Sequence, residues 1–76
     1  MTKTEFYKEL DSMLELEPNT IRGDERLADL PGWDSMSVIS FIALADTKFK
    51  RTVAAKEIAE ARTVEDLSNL FPGEIV

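Results

Sequence analysis

Apolar residues recur with helical spacing along most of this chain, and breaks in the pattern divide it into segments. Phe6, Leu10, Met13 and Leu14 follow i, i+4, i+7, i+8 spacing and line one stripe. Thr2 stands three residues before Glu5, the spacing of a capping box, so a helix is expected to start there. Pro18 is expected to end it, because proline has no N–H to donate and disfavours helix in the residue before it. Residues 17–34 then read as a long loop punctuated by Pro18, Gly23, Pro31 and Gly32. Ile21, Leu27, Leu30 and Trp33 within it are expected to peg it to a core.

The next segment, Ser35 to about Lys50, is the most apolar. Val38, Ile42, Ala45 and Phe49 share one face, Ile39 and Phe41 flank them, and Ser37, Ser40, Thr47 and Lys48 fall towards the other side. A helix this apolar is buried on more than one flank, which makes it the central element. Val53 to Ala61 can form a short helix with Val53 and Ile58 inward. Thr63 and Asp66 repeat the capping-box spacing and open a last helix carrying Val64, Leu67, Leu70 and Phe71, closed by Pro72-Gly73. No strand alternation persists. The expected fold is all-α: a small four-helix bundle of three main helices and a short third one, with a long loop between the first and second helices. Val38, Ile42 and Phe49 are expected to be buried against Phe6, Leu10 and Leu14.

Composition narrows what such a bundle can do. Seventy-six residues make one domain with a single small core. With 43% hydrophobic and 32% charged residues the chain suits a folded protein rather than a disordered tail. There is no Cys and no His, which removes disulfides, thiolate nucleophiles, zinc–thiolate sites and the commonest general base and metal ligand. No metal site and no catalytic residue are expected. No apolar run reaches the length of a membrane span, and no basic segment precedes an apolar run near residue 1. The cysteine usage is compatible with the cytoplasm, and a monomer is expected. A net charge of −6 argues against non-specific nucleic-acid binding. That charge is uneven: residues 1–34 carry nine acids and four bases, residues 35–76 six acids and five bases.

Chemistry, if there is any, centres on Gly32-Trp33-Asp34-Ser35-Met36-Ser37, where loop becomes helix. Asp34 or Ser35 can serve as the N-cap, since either side chain accepts from a free N–H of the first turn. A serine hydrolase would need a histidine base, and the chain has none. A Ser–Lys pair would need a lysine of depressed pKa, whereas the lysines lie at helix surfaces or ends. Ser35 is therefore expected to act as a nucleophile only when another enzyme activates it. Free N–H groups and the positive end of the helix dipole would favour a phosphate attached there.

These residues resemble the acyl carrier protein family, whose signature is Asp-Ser-Leu or Asp-Ser-Met at the start of the second helix, here Asp34-Ser35-Met36. The similarity continues through Leu30, Gly32 and Trp33 ahead of the motif, the apolar helix ending at Phe49, then Val53, and Thr63-Val64 opening the last helix. It covers almost the whole chain. What the resemblance implies is a carrier, not an enzyme. A separate Mg²⁺-dependent phosphopantetheinyl transferase would esterify Ser35 with 4′-phosphopantetheine from coenzyme A. The arm's thiol would hold an acyl or aminoacyl group as a thioester, supplied and removed by loading and transfer enzymes. Asp34 would assist modification or cap the helix, and Met36 would contact the partner.

One departure bears on partner choice. Carriers of bacterial fatty acid synthesis usually present an acidic second helix to basic partners. Here the matching positions are Ser37, Ser40, Thr47 and Lys48, with only Asp34 and Asp46 still acidic. The partner face is expected to comprise Asp34, Met36, Ser37, Ser40, Leu44 and Thr47, with mostly apolar or hydrogen-bonded contacts. The acids of residues 5–17 and 24–29 are expected to form a solvated surface. Three functions follow: an acyl carrier in a specialised lipid or secondary-metabolite pathway, a free-standing aminoacyl or peptidyl carrier of the nonribosomal type, and an unmodified helical adaptor.

Overall fold

Four α-helices build the protein in the computed structural model, which describes residues 1–76: α1 (Lys3–Met13), α2 (Ser35–Phe49), α3 (Ala55–Glu60) and α4 (Val64–Ser68). There are no strands, and the architecture is the small all-α bundle expected. Its proportions differ from expectation at the end of the chain. The last helix has only 5 residues, no more than α3, which has 6, so two long helices carry the bundle.

Local chemistry starts each long helix where the residues imply. The Thr2 hydroxyl accepts from Glu5 N–H at 3.1 Å, and the Glu5 carboxylate accepts from Thr2 N–H at 3.0 Å. These two bonds satisfy groups that no helical partner could reach. The end of α1 is set earlier than Pro18. Glu15 takes a left-handed conformation at φ 59, Glu15 N–H donates to Ser12 C=O at 3.2 Å, and Leu16 N–H donates to Asp11 C=O at 2.8 Å. That pattern is a Schellman cap, here with a glutamate where glycine is usual.

Two turns in the loop follow from a proline followed by a residue with positive φ. Thr20 N–H returns to Glu17 C=O across Pro18-Asn19, and Trp33 N–H returns to Leu30 C=O across Pro31-Gly32. Asn19 (φ 65) and Gly32 (φ 83) take the position that requires positive φ in a type II turn. Between the turns Ile21, Leu27 and Leu30 are buried and Trp33 is half-buried, so all four pegs hold. A 3₁₀ turn at Leu27–Asp29, which the apolar pattern did not show, shapes the middle. Backbone bonds from Leu27 N–H to Arg62 C=O (2.9 Å), Val64 N–H to Glu25 C=O (3.1 Å) and Glu65 N–H to Gly23 C=O (2.8 Å) tie the loop to the start of α4. Gly23 (φ +113) lies so close to Tyr7 that a Cβ would stand 2.5 Å from its hydroxyl oxygen.

One acid expected on the solvated surface is part of this scaffold. Asp11, only 3% exposed, accepts from Asn19 N–H and Ile21 N–H, each at 3.0 Å, and so fastens the loop to α1.

The core is aromatic. Phe6, Phe41 and Phe71 are fully buried, with ring centroids 6.0–6.3 Å apart, and Leu10, Ala45, Ile58, Val64 and Leu67 close around them. The inward line of α2 is rotated from the one expected. Ser37, Phe41 and Ala45 are buried, whereas Val38, Ile42 and Phe49 are half-buried and Ile39 is exposed. The rotation places Phe41 against Phe6 and Trp33, and leaves Phe49 on the margin, its ring tilted 34° to that of Phe71 with centroids 4.6 Å apart.

Three carboxylates in the turns are stabilised in their charged form. Hydrogen bonding from Thr2 N–H holds Glu5 below its ordinary 4.5, and bonds from Arg62 and Thr63 N–H hold Asp66 below 3.8. Burial pushes Glu25 up, but Arg22 N–H at 2.7 Å and Gly23 N–H at 2.8 Å outweigh it and leave it below 4.5. Depressed folded values mean that the unfolded chain binds more protons as acid is added. Their stabilisation is therefore present above the ordinary carboxylate range and is lost as pH falls through the folded values. The thermal midpoint is expected to drop between about pH 5 and about pH 2, with a shallower slope in Glu25→Gln. A midpoint flat across that window, or a slope unchanged by the substitution, would contradict the assignment.

Candidate functional site

The type II turn at Pro31-Gly32 delivers Trp33 and Asp34 to the first turn of α2, and the cap there divides its work between two residues. Asp34 is the N-cap: its carboxylate accepts from Ser37 N–H at 3.0 Å. Ser37 completes the box, accepting from Asp34 N–H at 3.3 Å and donating its hydroxyl to Gly32 C=O. Ser37 is buried, so its place among the exposed partner-facing residues is corrected: its side chain is spent inside the turn.

Ser35 is left out of this network. It is the first residue of α2, it is exposed, and the cap's bonds run between Asp34, Ser37 and Gly32 without it. The N–H groups of Ser35 and Met36 donate to no acceptor in the chain, so they and the dipole of a 15-residue helix point out beside the free hydroxyl. No base reaches it. The Asp34 carboxylate is engaged by Ser37, and Lys48 in the last turn of α2 and Lys50, its C-cap, stand at the opposite end.

A groove of about 400 Å³ opens at this hydroxyl. Leu27, Trp33, Val38, Ile39, Ala55, Ile58, Ala59 and Ala61 line it, and Ser35 is the one lining residue that is not hydrophobic. It runs between α2 and α3, where Ala55 and Ala59 leave room that larger side chains would fill. Trp33, packed edge-on against Phe41 with centroids 6.3 Å apart, forms part of its wall.

The other expected partner residues fall into two groups. Asp34, Met36, Ser40 and Thr47 are exposed, Met36 at 68%. Leu44 is half-buried and packs against the core. Ile39, assigned to a core flank from its spacing, is 63% exposed one turn from Met36. Its signal was the near-continuous apolar run of α2, which cannot all be inside. No helix is long and apolar enough to cross a membrane.

No protein-family model matches the chain, and neither does any curated protein or solved structure.

Proposed function

We propose that the chain is an acyl carrier protein, modified on Ser35 with 4′-phosphopantetheine taken from coenzyme A, that serves a specialised lipid or secondary-metabolite pathway. One observation carries the reading. The only free hydroxyl at the start of α2 is also the only non-hydrophobic residue lining an apolar groove.

The residues suit a phosphodiester there. Unbonded N–H groups and the positive end of α2 favour the negative charge that the ester would bring. Asp34 and Ser37 keep the turn rigid without using the hydroxyl, which holds the attachment point in one place. The proton must leave to a base on the modifying enzyme, because the chain places none beside Ser35. When attached, the arm supplies a thiol that carries the cargo as a thioester, a group for which this cysteine-free chain has no side chain of its own.

The groove favours acyl over aminoacyl cargo. An apolar tail entering it would gain about 0.8 kcal/mol per buried CH₂, whereas a free ammonium would lose hydration without finding a partner. Ser35 is also close enough to make that entry intramolecular.

Incubation of the full chain with coenzyme A, Mg²⁺ and a broad-specificity phosphopantetheinyl transferase should add one phosphopantetheinyl group by intact mass. Trp33 is the only tryptophan, so its emission reports on the groove. An octanoyl form should shift that emission to the blue, and a glycyl form should not. Absence of any mass gain would leave an unmodified adaptor; a response to glycyl alone would favour the aminoacyl carrier.

A further inference from the structure

We propose that the seam between α1 and the loop that follows it is a second binding site, one that takes a phosphate-bearing anion between Lys8 and Arg22. Two cavities, of about 280 and about 440 Å³, meet along this seam and share Lys8, Asp11 and Asn19. Thr4, Lys8 and Ser12 follow one another four apart on α1, so they line the cleft as one stripe. The loop contributes Asn19 and Arg22.

All of these side chains can donate, and none of them is hydrogen-bonded or ion-paired within the chain. Lys8 and Arg22 cannot accept at all, so the cleft calls for a ligand that presents oxygens. The one carboxylate lining it is Asp11, which is buried and accepts from Asn19 N–H and Ile21 N–H at 3.0 Å each. Glu5 stands near Lys8 and Glu25 near Arg22, and both carboxylates accept from backbone N–H groups. Glu9, beside Lys8 in the sequence, pairs with Lys48 at 3.7 Å. The charge of these acids offsets part of the two cations, so a ligand of single charge would gain little. A phosphate ester or diphosphate brings more charge and more oxygens. The Arg22 fork can bond two of those oxygens while Lys8 supplies a point charge. Residues 1–34 carry nine acids and four bases, yet two of those bases line one cleft with no ion-pair partner. An anion held there would bridge α1 and the loop, beside the tie that Asp11 already makes.

The test follows the thermal midpoint of the full chain against inorganic pyrophosphate, with sodium chloride added to hold ionic strength constant. The wild type should melt higher as pyrophosphate rises, because the ligand binds the folded chain and not the unfolded one. Acetate at the same ionic strength should leave the midpoint where it is. Lys8→Ala and Arg22→Ala should each weaken the apparent affinity about tenfold, at unchanged helical circular dichroism, and the double variant should lose the response. Arg22→Lys should recover only part of it, since an ammonium cannot fork two oxygens. In the wild type, amide NMR shifts induced by pyrophosphate should centre on residues 4–12 and 19–22. Flotation with phosphatidylcholine vesicles that contain phosphatidate, and not with phosphatidylcholine alone, would assign the phosphate to a lipid headgroup. Absence of flotation would assign it to a soluble ester, and either source keeps the site. Ser35→Ala should respond like the wild type, so failure of the carrier reading would leave this site standing. A midpoint that pyrophosphate does not move, shifts spread over the whole surface, or a double variant that responds like the wild type would overturn the proposal.

Discussion

Phe41→Ala is expected to cost about 3–5 kcal/mol, the range for truncating a buried phenylalanine whose surroundings cannot collapse. A domain of this size has roughly 4–11 kcal/mol in total, at about 0.05–0.15 per residue, so the variant should be marginal or unfolded at room temperature. Phe41 is fully buried, and its ring meets Phe6, Phe71 and Trp33 with centroids 6.0–6.3 Å apart. Removing it leaves a void bordered by Phe6 of α1, Phe71 and Trp33. Phe49→Ala should cost less, because Phe49 is half-buried and keeps only its margin contacts with Phe6 and Phe71. Urea unfolding followed by circular dichroism measures both. Equal losses, or a larger one for Phe49, would restore the inward face first read from the spacing.

That comparison marks where periodicity stops being informative. The stripe of α1 was readable because polar residues interrupt it on three sides, and Phe6 and Leu10 are buried as their spacing implies. Around α2 apolar residues occur on nearly every side, so several inward faces fit the pattern equally well. Two facts decided between them. Ser37 is drawn inward by the cap it completes, and Phe41 packs a fully buried ring edge-on against Phe6. The early end of α1 was hidden for another reason: a glutamate occupies the left-handed position where glycine would have signalled the stop. Asp11 is buried by accepting from Asn19 N–H and Ile21 N–H, eight and ten residues further on in the loop, and helical periodicity does not encode those bonds.

The candidate site was more legible than the core, because caps and tight turns are written in adjacent residues. Pro31-Gly32, Asp34 and the free hydroxyl of Ser35 stand where their chemistry places them. The groove was not legible. It needs Leu27 from the loop, Val38 and Ile39 from α2, and Ala55 and Ala59 from α3, and only the packed chain brings these together.

Two neighbouring serines should separate carrier chemistry from structure. Ser35→Ala is expected to abolish attachment of phosphopantetheine completely, since it deletes the only oxygen placed to form the ester. Its stability should change by no more than about 0.5 kcal/mol, because Ser35 is exposed and outside the cap, and alanine is a good helix former. Ser37→Ala should do the reverse. It removes the hydroxyl that accepts from Asp34 N–H and donates to Gly32 C=O, costing about 0.5–2 kcal/mol, yet it should still load. Ser12 and Ser40 are also exposed, but neither begins a helix, and both should stay bare. Intact mass, peptide mapping and thermal unfolding of the two variants read all of this. A phosphopantetheinyl group found on Ser35→Ala, or on any serine but Ser35 in the wild type, would show that the hydroxyl at the mouth of the groove is not the attachment point.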